Sequence, residues 1–82
     1  MKLSIIIPAY NEQTTIEAVI RRVQAIDLGA IAKEIIVVDD ASHDDTPHIL
    51  KAITGIVFLR HSVNAGKGAA LTTGIRMATG GR

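Results

Sequence analysis

Three short polar runs carry the residue types that do chemistry in this chain: "PAYNE" at 8–12, "DDASHDD" at 39–45 and "RHSVNAGKG" at 60–68. The first places an aromatic ring, Tyr10, two residues before a carboxylate, Glu12. The second opens on an acid pair, Asp39 and Asp40, and the third sets Lys67 between two glycines. Carboxylates supply acceptors, a lysine supplies a cation, and flanking glycines let the backbone approach a ligand closely. Each run also has an ordinary reading. Pro8 and Asn11 are turn formers, Asp44 or Asp45 can start a helix, and Lys67 can equally be a solvated lysine in a loop. His43, His48 and His61 show neither helical i, i+4 pairing nor a converging acid, so they read as surface residues rather than metal ligands.

The elements that must position these runs follow from the apolar pattern. "LSIII" (3–7), "EIIVV" (34–38) and "IVFL" (56–59) are short, β-branched and nearly continuous, as strands covered on both faces of a parallel sheet are. Between the first two, Ile16, Val19, Ile20, Val23 and Ile26 mark one face of a helix, opened by the capping-box spacing Thr14-x-x-Glu17. Thr46 as N-cap and Pro47 at the first helical position begin a second helix with Ile49, Leu50 and Ile53 on one side. A third is predicted from about Gly68 to Thr79, with Leu71, Ile75 and Ala78 inward and Gly80 ending it. The order βαβαβα with right-handed crossovers implies an α/β fold, an open doubly wound parallel sheet. In such sheets ligands bind outside the carboxyl ends of the strands, and all three polar runs fall there.

Composition narrows the partners. A chain of 82 residues is one small domain (1–82) with a thin core, and 48% hydrophobic with 21% charged residues is the balance of a globular protein. A net charge of +1 and an aromatic content limited to Tyr10 and Phe58 argue against nucleic acid as partner. The absence of cysteine rules out disulfides, and the apolar amino end is too brief for a signal peptide or a membrane segment, so the cytosol is expected. A dinucleotide fold needs G-x-G-x-x-G after strand 1, where "PAYNE" stands instead. The only G-x-G, Gly66-Lys67-Gly68, has Leu71 at the third glycine's place, and a Walker A loop fails because Gly68 replaces Ser or Thr. A receiver domain would need a phosphoacceptor aspartate on a later strand, which "IVFLRHS" does not supply.

Taken in order, "SIIIPAYNE", "EIIVVDDASHDDT" and "NAGKGAALTTGIRMATG" resemble the amino-terminal half of the nucleotide-sugar-binding domain of family 2 glycosyltransferases, the GT-A fold. The branch they resemble most holds dolichol-phosphate mannosyltransferases and other polyprenyl-phosphate hexosyltransferases. The resemblance spans essentially the whole chain. It implies a nucleotide-binding portion in which the ring of Tyr10 lies against the base or ribose, Glu12 contacts the nucleoside and Asp40 bonds the base. Pro8, Ala9 and Val38 are expected to lend backbone contacts, and Lys67 to approach the diphosphate of a GDP- or UDP-sugar. A planar ring stacked on a base is worth about 1–3 kcal/mol, and an ionised carboxylate suits an imino or amino donor.

The family pattern continues into a further strand ending in an Asp-x-Asp motif that holds Mg²⁺ or Mn²⁺ at the diphosphate, and no such motif lies within these residues. The 82 residues are therefore expected to hold no catalytic residue and no metal ligand, and to be inactive alone. A non-catalytic nucleotide-binding or assembly module is the alternative. Strand 1, lacking charge or proline before Pro8, is expected to pair with a neighbouring copy in a homo-oligomer.

Overall fold

The computed structural model describes residues 1–79. Its elements alternate as β1 (Lys2–Ala9), α1 (Ile16–Ala25), β2 (Ala32–Asp39), α2 (Thr46–Ala52), β3 (Val57–Arg60) and α3 (Lys67–Ala78). The strands form one parallel sheet in the order β1-β2-β3, with Ile5 level with Ile35 and Val37 level with Phe58. The α/β class, the element order and the parallel sheet agree with the sequence reading. Pro8 lies inside β1 rather than beyond it.

Side-chain alternation divides the core into two layers. Ile7, Ala9, Ile35, Val37 and Phe58 face α1 and α2, meeting Ile16, Ile20, Leu50 and Ile53. Ile6, Ile36, Val38, Val57 and Leu59 face α3, meeting Ala70, Met77 and Ala78. β2 sits between its neighbours and is buried from Ile35 to Asp39, which is why its apolar run is the least interrupted.

The helix ends differ from the predicted caps. α1 starts behind Thr15, and its first amides are satisfied by the Glu12 carbonyl, which accepts from Thr15 N and Ile16 N at 3.0 and 2.9 Å. Glu17 pairs instead with Arg21 one turn on, at 3.5 Å, so the capping box does not form. Thr46 is the first residue of α2 and not its cap, because its buried hydroxyl is engaged with Asp44 and with the amide of Glu12. At the far end of α1 the Lys33 ammonium donates to the carbonyls of Val23, Gln24 and Ile26 at 2.8, 2.8 and 2.5 Å, closing groups that a helix end leaves open. Val19 and Ile26, predicted on the inner face of α1, are exposed.

α3 carries the largest correction. Leu71 and Ile75 point outward, and the residues against the sheet are Ala70 and Gly74, with Met77 and Ala78 below. The cause is the closeness of the helix to β1: a Cβ built on Gly74 would overlap Ile6 Cγ2, so only a side-chain-free position fits there. The expected stop at Gly80 lies outside the described residues.

Candidate functional site

The carboxyl ends of the three strands point to one rim, and the loops leaving them are tied together there. Asn11 N donates to Ser42 Oγ at 2.8 Å, and His43 N to Asn11 Oδ1 at 2.9 Å. Glu12 N donates to Thr46 Oγ1 at 2.9 Å, Gln13 N to Asp44 Oδ2 at 3.3 Å, and Asp45 N to Gln13 Oε1 at 2.8 Å. The first two loops are thus laced by side chains that accept from the opposite backbone. Asn11 adopts φ 50°, a left-handed conformation that asparagine tolerates, whereas Ala41 holds φ 61° without that excuse.

The acid pair at the end of β2 splits between the two faces, as alternation along a strand requires. Asp39 is fully buried on the α1–α2 side and accepts from Ser42 N at 3.0 Å, Ser42 Oγ at 2.5 Å and Arg60 Nε at 3.4 Å. Asp40 turns to the α3 side. Its Oδ1 accepts from His61 Nδ1 at 2.8 Å and Ala65 N at 2.9 Å, and its Oδ2 from Gly66 N at 2.8 Å. The amide of Ala65, the imidazole of His61 and the amide of Gly66 outweigh desolvation and hold the Asp40 carboxyl below the usual range. Desolvation pushes Asp44 upward, but bonds from the Thr46 hydroxyl and amide and from Gln13 N overcome it, so its carboxyl also lies low.

Between these loops opens a cleft of about 390 Å³, lined by Pro8, Tyr10, Glu12, Asp40, Asn64, Gly66 and Lys67. Of the residues singled out from sequence, Pro8, Tyr10, Glu12, Asp40 and Lys67 meet there. Ala9 and Val38 do not: both are buried beneath the rim, and the Ala9 carbonyl is taken by Asp40 N at 2.8 Å. Among the described residues the Tyr10 hydroxyl, the Glu12 carboxylate and the Lys67 ammonium have no hydrogen-bond or ion-pair partner, so all three are available to a ligand. Asn64 joins the lining without a signal of its own in the sequence, whereas Gly66 is one of the glycines that flank Lys67. Gly66 adopts φ 95°, which lets its amide reach Asp40 just before α3 begins.

His61 corrects the sequence reading. It is not a surface residue: its ring is clamped between Asp40 and Thr73, with Nε2 lying 2.7 Å from Thr73 Oγ1. The missing signal was three-dimensional, since Asp40, His61 and Thr73 come from the β2–α2 loop, the β3–α3 loop and α3. His43 and His48 are exposed. Among the described residues no group of three or more His, Cys, Asp or Glu side chains could hold a metal ion.

The family model of glycosyl transferase family 2 matches residues 4–81. The chain belongs to that family. Proteins similar to it include an uncharacterized protein of Methanocaldococcus jannaschii, 36% identical over 94% of this chain and 30% of its own length. The undecaprenyl-phosphate 4-deoxy-4-formamido-L-arabinose transferase of Sodalis glossinidius is 38% identical over 96% of this chain and 26% of its own length. The enzyme of the same name in Yersinia pestis strain Pestoides F is 36% identical over the same shares. The chain thus spans between a quarter and a third of the length of these relatives. The parallel sheet with its rim of loops is accordingly part of a GT-A domain, and no helix among the described residues is long and apolar enough to cross a membrane.

Proposed function

We propose that the cleft binds the nucleoside diphosphate of a sugar donor, GDP- or UDP-linked, and that the protein to which these residues belong transfers its hexose to a polyprenyl phosphate. The observation that carries this reading is the convergence of three partner-free groups, a ring, a carboxylate and an ammonium, with Asp40 in one cleft. In this reading the Tyr10 ring covers the base or ribose, Glu12 accepts from ribose hydroxyls and Asp40 accepts from the base. Lys67, in the first turn of α3, offers its charge to the diphosphate where helix polarity adds to it. Family membership supports the donor class, and the undecaprenyl phosphate in the names of two relatives supports a polyprenyl phosphate acceptor. Such an acceptor puts the reaction at a membrane surface, with the donor cleft on the cytoplasmic side.

A divalent cation, Mg²⁺ or Mn²⁺, accompanies donors of this class, but the described residues offer no group of three or more His, Cys, Asp or Glu side chains to hold one. Turnover is assigned to the whole protein. The test is calorimetric titration of the 82 residues with GDP and UDP, with and without Mg²⁺. Weak binding that changes little with Mg²⁺ is expected. Asp40→Ala should weaken it about tenfold, while Asp39→Ala should lower Tm instead. Equal loss of affinity in both variants with folding intact, or an absolute need for Mg²⁺, overturns the assignment.

A further inference from the structure

The Asp40 carboxylate is less free than a ligand-reading acid would be. An ionised carboxylate offers about four acceptor directions, and protein donors occupy three: His61 Nδ1 and Ala65 N on Oδ1, Gly66 N on Oδ2. Oδ1 is saturated. What remains is one direction on Oδ2, in a residue that lines the cleft. The arrangement is held from behind, because His61 is itself anchored by Thr73, whose Oγ1 is also 3.0 Å from Ala69 O. Carboxylate, imidazole and hydroxyl thus connect the end of β2 to the second turn of α3.

We propose that His61 is a positioning residue of this cleft: tied to Thr73, it takes one edge of the Asp40 carboxylate and leaves Asp40 a single acceptor. That acceptor suits a base presenting one N–H, as uracil does, over one presenting two adjacent donors, as guanine does. The inference rests on the nucleotide reading above. A guanine at Asp40 would find an acceptor for only one of its two neighbouring donors and so forgo the paired, charge-assisted contact that a free carboxylate offers it. Loss of His61 removes one of the bonds that hold the Asp40 carboxyl low, so the same substitution has a spectroscopic signature independent of any ligand. The charged groups sharing the cleft, Glu12 and Lys67, are unchanged by it.

The test uses UDP and GDP in titration calorimetry together with ¹³C NMR titration of the Asp40 carboxyl. Wild-type protein should bind UDP at least about tenfold more tightly than GDP. His61→Phe should weaken UDP about tenfold and move the Asp40 midpoint upward, and Thr73→Val should do so in part. His61→Asn keeps an N–H near the place of Nδ1 and should restore both readings towards wild type, which loss of packing alone does not predict. His61→Phe with wild-type UDP affinity and an unmoved Asp40 midpoint overturns the positioning role, and GDP bound as tightly as UDP overturns the base preference. A protein that binds neither nucleotide refutes the reading of the cleft and with it the preference, while the Asp40 titration still decides whether His61 holds the carboxylate.

Discussion

Ala41 sits directly after Asp40, buried, in a left-handed conformation at φ 61° that costs a residue with a Cβ about 1 kcal/mol or more. The neighbouring bonds impose it: Asp40 N is fixed to Ala9 O and Ser42 N to Asp39 Oδ2, so the chain must turn within one residue. Ala41→Gly should therefore stabilise the protein by up to about 1 kcal/mol, net of the larger entropy glycine brings to the unfolded chain. A shift of the urea midpoint to lower concentration would count against strain at this position. Asp40 itself makes stability depend on pH. Its carboxyl is lower in the folded protein than the ordinary aspartate value, so its contribution is complete above that value and is lost as pH falls through the folded one. Urea unfolding of wild type and Asp40→Asn between pH 6 and pH 2.5 should show the wild type's advantage shrinking only below about pH 4. An advantage that fades already at pH 6 would assign it to another group.

At the scale of elements, α3 packs closely on β1 at Gly74. Gly74→Ala gains helix propensity worth about 1 kcal/mol, but the new methyl meets the Cγ2, Cγ1 and Cβ of Ile6 together, so the side chain cannot step aside by one rotamer. Net destabilisation of about 1–2 kcal/mol is expected in chemical denaturation, relieved by Ile6→Val if the clash is the cause. Periodicity could not reveal this. Leu71 and Ile75 keep helical spacing and look like a core stripe, yet a helix that packs on small residues turns its larger ones outward. The strands were legible because their β-branched runs lie between helices on both faces, β2 being buried from Ile35 to Asp39 and β1 and β3 partly so, and α1 was legible because Ile16 and Ile20 are its only fully covered positions and share its apolar face. The caps were not, since Thr14 and Thr46 satisfy the local pattern, while the Glu12 carbonyl takes the first amides of α1 and the Thr46 hydroxyl is drawn to Asp44 and to the amide of Glu12, more than thirty residues away. The site was legible as polar runs at strand ends. The role of His61 was hidden because its partners are distant in sequence.

At the scale of the whole molecule, β1 is an edge of the described sheet. Met1 O and Ala9 O both receive bonds from the β2 side, so odd-numbered residues of β1 turn their backbone groups to β2 and even-numbered ones, among them Ser4 and Ile6, turn theirs outward. Pro8 falls in the outward set, where its missing N–H disturbs no ladder. We propose that in the isolated 82 residues this edge pairs with a second copy. Ser4→Pro removes an outward donor, and it should shift sedimentation towards monomer while leaving the β1–β2 ladder intact. A wild-type chain that sediments as monomer at high micromolar concentration, with freely exchanging Ser4 and Ile6 amides, would remove the idea. The lacing of the first two loops has a different consequence. Its bonds run from backbone amides to Asn11, Gln13, Ser42, Asp44 and Thr46, and none of them uses the side chains of Tyr10, Glu12 or Lys67. Three of the side chains that line the cleft thus stand apart from the loop framework, so positions 10, 12 and 67 can change without rewriting the loops that carry them, whereas Asp40 belongs to both. A scaffold of this kind can present different chemistry at a few side chains while keeping the same rim.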